Sequence, residues 1–168
     1  MGGYSIMRIM GIDPSLSSTG VGVVIDGKTK YWEAIKSSIK EGYTEDRIVK
    51  IVERVQELCK KWEIDYIVIE KPIVGAVNGV RTIQDLAGLY YTIACSLMKR
   101  GYLVVPCMPS EWKSTVGVVG KKRAEQKKSS VEIASRHIGK KLGIKDNDIA
   151  DAILIGIYGS MLEVERSE

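Results

Sequence analysis

Apolar residues gather early in the chain. Ile6, Met7, Ile9, Met10 and Ile12 climb to one acid, Asp13, then a polar turn follows, and Val21, Val23, Val24 and Ile25 lead away. The pattern predicts strand, tight turn, strand, with a carboxylate where the first strand ends. A lone charge at the end of a buried strand needs a partner or a cation; a turn-starting aspartate before Pro14 is the plainer alternative. Asp26-Gly27 marks another tight turn, and Thr29 to Ile35 reads as a third strand. Strands joined so closely run antiparallel. A helix is expected to begin at Gly42 to Glu45 with Thr44 as its cap, because Ile48, Ile51, Val52, Val55, Leu58, Cys59 and Trp62 then recur at three- and four-residue spacing.

Ile64 to Glu70 repeats the opening device: a short β-rich run delivers one acid, and Lys71-Pro72 stops it. Open α/β sheets bind ligands at such carboxyl ends. Ile73 to Val80, with Gly75, Asn78 and Gly79, is expected to be a loop. Thr82 to Arg100 predicts a helix apolar around much of its girth, suited to the core or to a second subunit. Tyr102 to Pro106 predicts a fifth strand, Pro109 to Lys113 a helical turn, and Lys121 to His137 a basic helix with few apolar positions. The last element, from Asp146 to Ile157, is a nearly all-apolar helix whose first turn carries Asp148 and Asp151 on one face. Acids on an inward-facing helix are poorly explained as solvation.

Length and composition narrow the reading. The 168 residues, 45% of them hydrophobic, suit one domain spanning the chain. Neither a membrane span nor a secretory leader is expected. Cys59, Cys95 and Cys107 are an odd set without metal spacing, which points to reduced thiols in the cytoplasm. With one histidine, His137, a His-rich metal site and a Ser-His-Asp triad are both disfavoured. The net charge of +4 is uneven: ten Lys/Arg between Lys113 and Lys145 face only Glu125 and Glu132. Such a segment is expected either to meet a polyanion or to be a solvated helix face.

The acids Asp13, Glu70, Asp148 and Asp151 would repel one another strongly without a cation. Hard oxygen ligands select magnesium, with manganese able to substitute. Two such ions per site can activate a water and stabilise the leaving oxygen of a phosphodiester. Acids inside and cations outside is the balance a metal-dependent nuclease needs.

Gly-Ile-Asp-Pro-x-x-x-x-Thr-Gly-x-Gly-Val, Asp-Tyr-Ile-Val-Ile-Glu and Asp-x-Ala-Asp-Ala, in the order β-β-β-α-β-α-β-α-α, resemble the RuvC-type Holliday junction resolvases of the RNase H-like superfamily. The resemblance covers nearly the whole chain. It implies an RNase H-like mixed five-stranded sheet, three strands antiparallel and then parallel, flanked by helices. It also implies that Asp13, Glu70, Asp148 and Asp151 are catalytic metal ligands, that Lys128 is a catalytic cation and, with Lys113, a DNA contact, and that a homodimer cuts four-way DNA junctions. Lys121, Lys122, Arg123 and Lys127 are expected to join the DNA surface, as are Ile73, Asn78 and Arg81 around the loop. The Thr82 to Arg100 helix is the candidate dimer contact, and Leu89 belongs to it if that side chain faces the partner.

Two departures stand out. Ile73 occupies the place where family members often carry a stacking aromatic, and Lys121-Lys122-Arg123 are extra basic residues. Both suit a divergent, phage-encoded member. A general branched-DNA or flap endonuclease is the strongest alternative. A non-catalytic DNA-binding protein is disfavoured by the intact acids, and an actin-like ATPase needs a second such domain.

Overall fold

Alternation along the first and fourth strands sorts their side chains onto opposite faces of one sheet, and the rest of the fold covers those faces. In the computed structural model, which describes residues 6–73 and 79–162, the strands are β1 (Arg8–Asp13), β2 (Ser18–Ile25), β3 (Lys28–Lys36), β4 (Tyr66–Glu70) and β5 (Leu103–Cys107). Their spatial order is β3-β2-β1-β4-β5. The β1–β2 and β2–β3 pairs are antiparallel, whereas β4 joins β1, and β5 joins β4, in parallel. The expected mixed sheet is the observed one. Pro106 sits on the edge strand β5, where a missing N–H costs no ladder bond to a further strand.

One face carries Met10, Ile12, Ile67 and Ile69 and is covered by α1 (Thr44–Lys61) and α2 (Val80–Lys99), which add Ile51, Val55, Leu58, Leu89, Ile93 and Leu97. The other carries Ile9, Tyr66 and Val68 and meets α3 (Pro109–Val116), α4 (Arg123–Ile138) and α5 (Asn147–Met161). In α5, Ile153, Leu154, Ile155 and Ile157 are at most 2% exposed; each such burial is worth about 1.5–3 kcal/mol. That helix can lie so close because glycines face it. A Cβ at Gly11 would stand 2.2 Å from the Ala152 carbonyl oxygen, and one at Gly20 only 2.0 Å from that of Asp148.

Element ends differ from expectation in physically simple ways. Tyr43, not Thr44, caps α1, and its backbone N–H is taken by the Asp46 carboxylate at 2.9 Å. The basic helix starts at Arg123 because the Glu125 carboxylate accepts the N–H groups of Lys121 (2.8 Å) and Lys122 (3.1 Å) ahead of the first turn. Asp146 caps α5 after a 3-10 turn at Ile144–Asp146. No helix among the described residues is long and apolar enough to cross a membrane.

Candidate functional site

Strand register brings the first two acids together. Ile12 pairs with Ile69 across the parallel β1–β4 ladder, and the next residue on each strand is Asp13 and Glu70. Both fall on the face that receives α5, since their i−2 neighbours Gly11 and Val68 do. Asp13 also pairs with Gly20 on β2. The missing side chain at Gly20 is what lets the first turn of α5, with Asp148 and Asp151, settle over the end of β1. The four acids therefore line one cavity of about 470 Å³ at the carboxyl edge of the sheet, together with Lys113, Arg123, Lys127 and the turn from Pro14 to Ser17.

Their protonation reflects that crowding. The Asp13 carboxyl is held well above the usual aspartate range, first by burial and then by the charges of Glu70, Asp151 and Asp148, against which Lys113 pulls down. Burial also raises Glu70, while the hydrogen bond from Trp112 Nε1 lowers it and Asp151 raises it further. Asp151 is raised by burial, with Ser130 and Lys113 opposing. The Ser130 hydroxyl lies near this carboxyl, yet its Oγ and Asp151 Oδ1 are both buried without a well-formed hydrogen bond. Asp148 Oδ1 accepts from Asn147 Nδ2 at 2.9 Å, and Asn147 Oδ1 is in turn 3.4 Å from Lys127 Nζ.

Three partly or fully buried carboxylates, one with an orphaned oxygen, make an oxygen-rich site that favours a hard divalent cation. Among the described residues, no three acid, histidine or cysteine side chains are arranged to hold a metal ion by themselves. The donor set fits an ion that completes its shell with water or substrate oxygens, as magnesium commonly does.

The cations divide. Lys113 stands within the cavity wall, its ammonium 5.4 Å from the Trp112 ring centroid and 3.4 Å from Gln126 Oε1. Arg123 and Lys127 line the cavity; Lys121 and Lys122 are exposed outside it. Lys128, expected beside the reacting phosphate, does not reach it. Its side chain is 72% exposed and stands 4.0 Å from Glu132. The reason is helical phase. Arg123, Lys127 and Ser130 recur at four and three residues and share the cavity side, whereas Lys128 is turned about 100° away. Ile73 and Arg81 are exposed beyond the cavity lining, and Asn78 lies outside the described residues. Leu89 cannot face a partner subunit, being fully buried between α2 and the sheet; the outward face of α2 presents Val80, Tyr91, Cys95 and Met98.

Sequence reasoning missed Trp112, Ser130, Asn147 and Arg47. Arg47 did leave a signal: it occupies a position of the apolar stripe of α1, four residues before Ile51, where a charge is out of place.

Comparison with known proteins agrees with this architecture. A family model described as crossover junction endodeoxyribonuclease RuvC matches residues 9–158. Relatives of that name include one from Saccharopolyspora erythraea, 26% identical over 90% of this chain and 75% of its own length. Another, from Fusobacterium nucleatum, is 26% identical over 96% of this chain and 86% of its own. Among solved structures, Thermus thermophilus RuvC in complex with Holliday junction substrate superposes with a TM-score of 0.73 at 18% identity, covering 90% of this chain and 91% of that one. The yeast mitochondrial Holliday junction resolvase Ydc2 gives 0.56 at 11% identity, covering 92% and 79%. These two likenesses are ones of fold.

Proposed function

Since the chain belongs to the crossover junction endodeoxyribonuclease RuvC family, we propose that Asp13, Glu70, Asp148 and Asp151 are the catalytic carboxylates with which it cuts four-way DNA junctions. It is an endonuclease that hydrolyses DNA phosphodiester bonds and resolves Holliday junctions, acting as a dimer, and its family is metal-dependent. The ions we assign are two Mg2+ per site, with Mn2+ able to replace them. When bound, they supply an activated water and stabilisation of the leaving oxygen. What supports the reading is the meeting of four acids from β1, β4 and α5 in one cavity whose wall also carries the cations Arg47, Lys113, Arg123 and Lys127, with Asp85 as a further acid from α2.

In this reading the carboxylates hold the ions in fixed relation to the sheet, because each acid hangs from a strand end or a buried helix rather than a loop. Glu70 is oriented by Trp112 and Asp148 by Asn147. Lys113 and Lys127 face the developing charge on the phosphate, where a preplaced cation acts without reorganising solvent. Arg123 meets the DNA backbone at the cavity wall, and Lys121 and Lys122 hold it farther out. The chain works as one nuclease domain, and two copies meet through the outward face of α2, so that two cavities make two nicks related by symmetry. Three free cysteines suit a cytoplasmic setting.

Cleavage of a synthetic four-way junction, a flap and a plain duplex in Mg2+ tests this. The expected result is paired nicks, symmetric across the junction and sealed directly by ligase. Asp151→Asn, which keeps shape and removes charge, should lower cleavage by orders of magnitude while junction binding persists. Near-normal turnover by that variant, or single unpaired cuts at flaps only, would overturn the assignment.

A further inference from the structure

Arg47 is the least expected charge in the molecule. It is 8% exposed and forms no ion pair among the described residues. Its Nε donates to Ser37 Oγ at 3.0 Å and one terminal nitrogen donates to the Leu16 carbonyl at 3.1 Å, both neutral acceptors. Guanidinium groups stay charged, and burying one without an anion is costly. Two of its three nitrogens are thus used, and its full charge has no counter-ion. That side chain nevertheless lines the acidic cavity.

Its position in the layers is informative. Lys113, Arg123 and Lys127 come from α3 and α4, which cover one face of the sheet; Arg47 comes from α1, which covers the other. The acids sit between, at the sheet's carboxyl edge. A nucleic-acid strand laid across that edge with one phosphate at the acids carries its neighbouring phosphates to both sides. The α3–α4 side has its cations, and Arg47 is the cation lining the cavity from α1. The turn it holds is the one that follows Asp13, closed on its other flank by Thr19, whose Oγ1 donates to the Ser15 carbonyl at 2.7 Å.

Resting on the nuclease reading above, we propose that Arg47 binds a DNA backbone phosphate flanking the cleaved linkage, on the side of the sheet opposite α4. The buried guanidinium then gains in the complex the anion it lacks alone, and it ties that phosphate to the turn behind Asp13 through Leu16.

A structural clamp and a phosphate contact predict different salt dependences. Junction binding is measured without divalent metal over a range of NaCl. Arg47→Gln keeps hydrogen-bond donors for the turn but loses the charge; it should flatten the slope of log K against log[salt] by about one unit, the loss of one phosphate contact. Arg47→Lys should keep the wild-type slope, and Ser37→Ala, which disturbs only the clamp, should lower melting temperature with the slope unchanged. A wild-type slope in Arg47→Gln overturns the proposal. Should Arg47→Gln not fold, single methylphosphonate linkages on either side of the cleaved bond decide it with the wild-type chain. Flattening by the linkage on the α1 side supports the site; a wild-type slope with that linkage replaced overturns it. Wild-type protein that neither binds nor cuts a junction would instead refute the nuclease reading.

Discussion

Trp112 donates its indole N–H to Oε2 of Glu70 from a side chain that has no solvent exposure. The bond reaches from α3 to the end of β4. It holds in a fixed direction an acid whose proton affinity burial raises, and it offsets part of that rise.

Trp112→Phe keeps the ring and removes that donor. The buried acceptor left behind should lower stability by about 1–3 kcal/mol, and the disoriented ligand should lower metal affinity or cleavage by about 10–100-fold. Calorimetric Mn2+ titration and thermal melts check both. In the wild type, metal should change tryptophan fluorescence, and Glu70→Gln should abolish that response.

The raised carboxyls make stability depend on pH with a definite sign. Asp13, Glu70 and Asp151 bind protons more tightly folded than unfolded, so their contribution is fully present below the unfolded values near 4 and is lost as pH rises through the folded ones. Metal-free Asp13→Asn should therefore melt higher than wild type at pH 7, and the difference should vanish toward pH 4. Divalent ions should close the gap from the other direction by stabilising only the wild type. A variant that melts lower at neutral pH would contradict the electrostatics.

Adjacent lysines on α4 should separate cleanly. Lys127→Ala removes a cation from the cavity wall and should lower the cleavage rate constant by about 100–1,000-fold, as loss of a preplaced donor does. Lys128→Ala, whose side chain faces water and Glu132, should cut close to normally. Single-turnover kinetics on a junction distinguish the two, and the reverse order would move Lys128 into the site.

Two substitutions on α2 should fail differently. Tyr91→Glu, on the outward face with 58% exposure, should leave a folded monomer by circular dichroism and sedimentation, one that nicks without resolving. Leu89→Glu buries an unpaired charge in the core and should unfold the chain. A folded, dimeric Tyr91→Glu would place the dimer contact elsewhere.

Much of this was legible along the chain because the signals are local. Period-two runs ending in Asp13 and Glu70 needed only the alternation of a strand to reveal acids at strand ends. Asp148 and Asp151 needed only helical spacing to share a face. That Lys127 turns toward the cavity and Lys128 away from it was not legible, because the basic helix has so few apolar positions that its rotation about its own axis cannot be read from periodicity. Which way Leu89 points stayed open for the complementary reason: α2 is apolar nearly all round, so nothing local marks which side meets the sheet.

By itself, then, the sequence determined the strands and helices, their order, and the four acids, since backbone propensity and apolar period act over a few residues. Tertiary structure alone decided what lies across the sheet from what. Gly20 beneath Asp148, Trp112 against Glu70, and Arg47 reaching Leu16 join residues 128, 42 and 31 positions apart. Such contacts depend on how closely two surfaces pack and at what angle, a property of the assembled layers that no short window of the chain contains.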